Sequence, residues 1–199
     1  MKGLYAIVDY ELFTDRIYEF TQQIITAGVK IIQFRAKHLK DKEFVYHALN
    51  LRNLAHNITF IINDRIDISL IVESDGVHLG QDDIPIASAR KLLKDKIIGI
   101  STHNLEQAIQ ASKTQIDYLA IGPIYQTPTK KNTTTPLGTE IIQKIKKLIS
   151  IPVIAIGGIN EDNIDEVIKA GADGVAIASG LLKGKDIIST TQRLLKKLK

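Results

Sequence analysis

Short runs of apolar, largely β-branched residues recur along the chain between longer stretches of mixed polarity: 4–8, 29–34, 59–62, 76–79, 97–100, 118–121, 153–156 and 174–177. The runs are predominantly apolar and do not alternate strictly, which suits strands covered on both faces and therefore a parallel sheet. Stretches with helical character separate most of them. Gly28 and Gly171 follow Thr26-Ala27 and Lys169-Ala170, where a left-handed residue is expected to end a helix ahead of the next strand. Three runs are introduced by an aspartate, in Ser74-Asp75-Gly76-Val77, Ile116-Asp117-Tyr118-Leu119 and Ala172-Asp173-Gly174-Val175. Eight strand-plus-helix units fill 199 residues with nothing left over, so the pattern predicts one domain over 1–199, a (β/α)8 TIM barrel. An open, doubly wound sheet is the alternative, but it would use five or six strands and leave segments unassigned.

Composition narrows the picture. At 44% hydrophobic and 24% charged the chain has material for a sizeable core that needs no disulfide or structural metal. The absence of cysteine excludes disulfide scaffolds, thiolate zinc sites, cysteine nucleophiles and iron–sulfur ligation, and it fits a reducing compartment. The first apolar run meets Asp9 too early for a signal-peptide core, and nowhere do eighteen apolar residues run on. A cytoplasmic protein free of the membrane is expected. The net charge of +4 comes from lysines scattered over helical faces or gathered at Lys196, Lys197 and Lys199, with few aromatics between them. That is a poor pattern for nucleic acid, and no nucleic-acid partner is expected.

In a (β/α)8 barrel the chemistry sits where strands end and loops begin. The second strand ends Gln33-Phe34-Arg35-Ala36-Lys37, and alternation turns Gln33, Arg35 and Lys37 to one face with Ile32 and Phe34 on the other. Two cations at the mouth of a barrel point either to an anionic ligand or to a salt bridge with a neighbouring strand. The third strand ends Asn63-Asp64 and the fourth runs into Gln81-Asp82-Asp83, which brings acids onto adjacent parallel strands. They suit a hard divalent ion completed by water and phosphate oxygens; alternatively Asp64 caps the next helix and Asp82 or Asp83 closes a turn.

Residues 122–138 form the longest stretch without periodicity and carry Thr127, Thr129, Lys130 and Lys131 among three prolines, which suits either a lid over phosphate or a disordered piece. The seventh strand ends at Gly157-Gly158 and the eighth at Ser179-Gly180, where small residues let backbone N–H groups approach an oxyanion. Ser101, closing the fifth strand, either donates to a phosphate or caps the following helix. His78 and His103 stand at strand ends without a partner at ligand spacing, while His38, His47 and His56 read as surface residues. No Gly-x-Ser-x-Gly or Walker loop occurs. A metal-assisted anion site and a neutral backbone cradle together suggest that a diphosphate-bearing electrophile is joined to a phosphate-bearing partner, with metal and cations stabilising the departing diphosphate.

The motifs Gln33-x-Arg35-x-Lys37, Ile62-Asn63-Asp64-Arg65, Asp75-Gly76-Val77-His78-Leu79-Gly80-Gln81-x-Asp83, Gly99-x-Ser101-x-His103, Thr127-Pro128-Thr129-Lys130-Lys131 and Ala155-Ile156-Gly157-Gly158-Ile159 resemble, in order, those of the thiamine-phosphate synthase family. The resemblance implies Mg2+-dependent condensation of 4-amino-2-methyl-5-hydroxymethylpyrimidine diphosphate with 4-methyl-5-hydroxyethylthiazole phosphate, giving thiamine phosphate and diphosphate. The bond to diphosphate breaks first in that family, and the thiazole nitrogen captures the pyrimidine-methyl cation, so no enzymic nucleophile is needed. Carried over, Asp64 and Asp83 resemble the Mg2+ ligands, and Arg35, Lys37, Asn63, Ser101 and Lys130 the diphosphate contacts. Gln33 would hold the pyrimidine. Thr127 and Thr129, with backbone at Gly157, Gly158 and Ser179, resemble the groups around the thiazole phosphate.

Family members are often homodimers, so a homodimer is an expectation for this chain too. One departure is Ala36, where the family usually carries Glu; alternation turns this position away from the substrate, so altered packing and not lost chemistry is expected. The related thiazole tautomerase is the nearest alternative, but it typically lacks the Thr-Pro-Thr-Lys segment and has a histidine where Pro123 stands. A noncatalytic phosphate-ligand sensor on the same fold is the other alternative.

Overall fold

The computed structural model describes residues 1–127, 135–183 and 186–199. All eight apolar runs are strands: β1 (Gly3–Asp9), β2 (Ile31–Arg35), β3 (Thr59–Asn63), β4 (Gly76–Leu79), β5 (Ile97–Thr102), β6 (Tyr118–Ile121), β7 (Val153–Ile156) and β8 (Gly174–Ile177). They pair in parallel in chain order, and β8 returns to β1 to close the barrel. Helices α1 (Tyr10–Phe13), α2 (Ile17–Ala27), α3 (Asp41–Leu54), α4 (Ile66–Ile71), α5 (Ile86–Leu93), α6 (Leu105–Ser112), α7 (Glu140–Lys146), α8 (Ile164–Lys169) and α9 (Ile187–Lys197) surround it. Among the described residues no helix is long and apolar enough to cross a membrane.

The start of β2 differs from the apolar run that predicts it. Gly28 adopts the left-handed conformation at φ 109° and Val29 donates its N–H back to Ile24, so the end of α2 consumes the first residues of the run and pairing begins at Ile31. At the other end, β1 and β5 run past their apolar cores to Asp9 and Thr102, because the ladder continues through polar residues wherever a neighbouring strand offers partners.

The three aspartates that introduce strands do one repeated job at the N-terminal face. Asp75 accepts from the N–H of Phe60 and from Arg52; Asp117 from Ile98 and Arg90; Asp173 from Val153 and Lys146. Each carboxylate thus ties its own strand to the N–H of the first or second residue of the preceding strand and to a cation on the helix before it. A charge-assisted bond to an otherwise orphaned N–H is stronger than a neutral one. This device lies at the end of the barrel opposite the chemistry.

Strand alternation divides the apolar side chains into two shells. Outward residues such as Val8, Ile32, Phe34, Ile62, Val77 and Leu119 pack under the helices. Inward residues form a separate interior cluster of Tyr5, Ile7, Ile31, Ile61, Tyr118, Ala120, Ile154 and Ala176. Gly99 is what admits Tyr118: a Cβ there would stand 2.0 Å from the Tyr118 ring.

Candidate active site

Pairing of β1 with β2 sets Asp9 opposite Arg35, and the alternation of β2 turns Gln33 and Arg35 into the barrel while Ile32 and Phe34 enter the outer core. A cavity of about 470 Å³ opens at the carboxyl ends of the strands. Of the residues singled out in the sequence, Gln33, Arg35, Asn63, Ser101, Thr127, Gly157, Gly158 and Ser179 line it. Lys37, Asp64 and Asp83 stand outside that lining, clustered on the loops that follow β2, β3 and β4. Thr129 and Lys130 lie outside the described residues.

The cationic side of the cavity is held by acids from β1 and α1. Asp9 and Glu11 both pair with Arg35, and Glu11 also accepts the backbone N–H of Lys37 at 2.7 Å and of His38 at 3.1 Å. Burial pushes the Asp9 carboxyl up to about 6, helped by its hydrogen bond with Glu11 and opposed by Arg35. Burial acts on Glu11 in the same sense, but hydrogen bonds from Asp9 and the loop N–H groups outweigh it and hold that group below the ordinary value. Asp9 and Glu11 carry no family motif, which is why the sequence reading passed over them; the signal was Asp9 closing an apolar strand.

Asp64 does not cap α4, whose N-cap is Arg65. Its carboxylate pairs with Lys37 and abuts Asp83, and its backbone sits at φ 63°, a left-handed conformation uncommon outside glycine. Such an outlier persists only where the surroundings enforce it, and it is frequent at functional positions. The Asp64 carboxyl is raised first by burial, with Asp83 adding to the rise and Lys37 opposing it. Asp83 closes the turn after β4 by accepting from Gly80 N–H at 2.6 Å, so it is a turn residue and also a neighbour of Asp64. Two adjoining carboxylates with only oxygen donors fit a hard divalent cation. No group of three or more His, Cys, Asp or Glu that could hold a metal occurs among the described residues, so two protein ligands with the rest from water and substrate is the arrangement these residues fit, as is usual for Mg2+.

Ser101 does not cap the following helix either, since Asn104 does so by accepting from Gln107 N–H. His78, read from the sequence as having no partner at ligand spacing, belongs to no metal-holding group among the described residues, but it does have hydrogen-bond partners. It is buried inside the barrel, with Nδ1 2.9 Å from the Tyr118 hydroxyl and Nε2 2.8 Å from Ser101 Oγ. Tyr118 meets Tyr5 at 2.9 Å, and Gln33 Nε2 donates to Tyr5 at 2.8 Å. The sequence reading missed Tyr5 and Tyr118 because each reads as one more apolar strand residue. His103 bonds the Gly122 carbonyl at 2.7 Å, and His47 meets the Tyr18 hydroxyl at 2.6 Å.

The part of the cradle that follows β7 is bare of side chains for steric reasons. Gly157 and Gly158 have φ of 100° and 66°, and a Cβ would meet Pro123 at 2.5 Å and the Gln126 carbonyl at 2.4 Å. The segment after β6 is pinned there too, with Ile124 and Tyr125 donating to the carbonyls of Ile156 and Gly157. Lys183, beyond the turn Ser179–Leu182, supplies a further cation to the cavity wall.

Fold and cavity define a (β/α)8-barrel enzyme with a largely apolar pocket, carrying a few convergent polar groups, at the carboxyl ends of its strands. The model of the thiamine monophosphate synthase family matches residues 4–181. A thiamine-phosphate synthase of Chloroflexus aurantiacus is 40% identical over 194 residues, spanning 96% of this chain and 90% of the relative. That of Shouchella clausii is 42% identical over 196 residues, spanning 96% and 94%. Among solved structures, thiamine phosphate pyrophosphorylase from Pyrococcus furiosus superposes with a TM-score of 0.89 at 35% identity, covering 98% of this chain and 95% of that one. The chain belongs to the thiamine monophosphate synthase family.

Proposed function

We propose that this chain is a biosynthetic transferase that joins a pyrimidine diphosphate to a thiazole phosphate, forming thiamine phosphate and releasing diphosphate. The observation that carries the reading is the juxtaposition of two kinds of anion site around one cavity. Arg35 and Ser101, with Lys37 and the Asp64–Asp83 pair close by, occupy one side; the glycine-walled cradle of Gly157, Gly158 and Ser179 occupies the other. Family membership over nearly the whole chain supports the same reading.

In this reading Asp64 and Asp83 hold Mg2+, which when bound supplies positive charge beside the diphosphate oxygens as charge builds on them. Arg35 donates from a guanidinium already oriented by Asp9, so little reorganisation accompanies the reaction. Lys37 exchanges Asp64 for a phosphate oxygen, and Asn63, Ser101 and Lys130 add donors. The electron pair of the breaking carbon–oxygen bond leaves with diphosphate, and the carbon left behind accepts the thiazole nitrogen lone pair. Protein groups therefore orient and stabilise; none has to attack. Gln33 orients the pyrimidine. Thr127, Thr129 and the backbone N–H groups of Gly157, Gly158 and Ser179 hold the thiazole phosphate so that its nitrogen faces the reacting carbon. Small molecules are the partners; we assign Mg2+ as the metal and the cytoplasm as the place of work.

The test is incubation with both substrates and Mg2+, assayed for thiamine phosphate and diphosphate. Asp64→Asn should lower turnover by at least about a hundredfold, the scale on which removing one preorganised electrostatic group acts. Asn tolerates the left-handed backbone of this position and keeps its volume, so circular dichroism should be unchanged. Undiminished turnover in this variant would refute the assignment.

A further inference from the structure

Inside the barrel Gln33, Tyr5, Tyr118, His78 and Ser101 form one unbroken row of hydrogen bonds of 2.8–2.9 Å, crossing the interior from β2 to β5. Both ends of the row, and His78 next to Ser101, line the cavity, whereas Tyr5 and Tyr118 do not. The interior members are not needed to fill space, for an apolar core would do so without buried polar groups to satisfy. Each link carries a single proton, and that restricts the whole row. Burial raises both phenols well above their ordinary value, so each keeps its proton and donates it once.

With a neutral imidazole, only two proton orders satisfy every link. In the first, Gln33 Nε2 donates to Tyr5, Tyr5 to Tyr118, Tyr118 to His78 Nδ1, and His78 Nε2–H to Ser101. The Ser101 proton is then left to donate into the cavity, and Gln33 presents its carbonyl oxygen, which among the described residues has no hydrogen-bond partner. In the second order every donor and acceptor reverses: Ser101 spends its proton on His78, and Gln33 turns its amide N–H2 to the cavity.

Resting on the reading that Ser101 faces the diphosphate, we propose that this row is a relay that couples the two ends of the substrate. An anion at Ser101 requires a hydroxyl donor and so selects the first order. The first order makes Gln33 an acceptor toward the ring, which favours a ring bearing an exocyclic amino group over the analogue bearing an oxo group at the same place. Tyr5, Tyr118 and His78 are positioning residues in this scheme: they touch no reacting atom and act by fixing the polarity of Gln33 and Ser101. Gly99 belongs with them, since only a glycine leaves room for the Tyr118 ring.

Two measurements test it. The first is the ratio of kcat/KM for the amino-pyrimidine diphosphate over its oxo analogue in the full-length enzyme, in Tyr118→Phe and in Tyr5→Phe. Wild type should discriminate by about 10⁴-fold, as sites built to hydrogen-bond a substrate group do. Either variant should lose at least about tenfold of that ratio, the worth of one buried hydrogen bond, with KM for the thiazole phosphate unchanged. A ratio that stays at the wild-type value in both variants, each folded by circular dichroism, overturns the relay.

The second is 15N NMR of His78 with inorganic pyrophosphate and Mg2+ as the probe, which needs no turnover. The neutral Nε2–H tautomer is expected. The Nδ1–H tautomer or an imidazolium under those conditions also overturns the relay, whether or not the enzyme makes thiamine phosphate. Failure to make any thiamine phosphate would sink the proposed function instead.

Discussion

A carboxyl group's charge state at the site depends on where its side chain is buried. Asp9 keeps its proton up to about pH 6 in the folded chain, against 3.8 for an unhindered aspartate, so folding takes up a proton between those values. The sign follows: Asp9's contribution to stability is fully present below about pH 4 and is lost as the pH rises through 6. Asp9→Asn preserves the acceptor for the Glu11 N–H and removes the titration. Urea unfolding from pH 4 to 7 should therefore show the wild type losing roughly 1–3 kcal/mol relative to the variant across this window, the scale of a shift of about two units. Parallel curves would show that Asp9 does not titrate there. Ala36, where the family usually has Glu, enters the outer core with Phe34 and Phe44 and does not line the cavity, so at this scale the departure touches packing and not the site.

Single elements are secured at their N-terminal ends by the repeated aspartate device. Asp117 is half exposed, so its ion pair with Arg90 contributes little after solvent screening, and the bond to Ile98 N–H is the part that counts. Asp117→Ala should lower unfolding free energy by about 1–2 kcal/mol, whereas Asp117→Asn, which keeps an acceptor, should lose about half as much. Equal losses in urea melts would assign the effect to charge. The same scale explains what could be read ahead of the structure. Gly76–Leu79, Tyr118–Ile121, Val153–Ile156 and Gly174–Ile177 have the bounds of their apolar runs because burial on both faces demands predominantly hydrophobic residues. The start of β2 was not legible, since whether Val29 N–H serves the helix or the strand depends on how α2 ends.

The whole barrel carries its ligands at one end, so binding there stabilises every strand at once. Pyrophosphate with Mg2+ at about one hundred times its dissociation constant should add roughly 2.7 kcal/mol to unfolding, read as a rise in Tm that a chelator abolishes. In Asp64→Asn that rise should shrink or vanish; an equal rise would place the metal elsewhere. Stabilisation by pyrophosphate alone, undiminished by chelator, would leave the cation no part in holding it.

The linear order of residues settled the parallel strands, the inward face of Gln33 and Arg35, and the motifs that mark the family, because period-two geometry and turn chemistry act over a few neighbours. Three-dimensional closure decided the rest. It made Asp64 a neighbour of Lys37 and Asp83 and not a helix cap, gave His78 its partners, and lined up Tyr5 and Tyr118 between Gln33 and Ser101. Those relations join residues as many as 113 positions apart, and only the shear of a closed barrel fixes which inward side chains share a level.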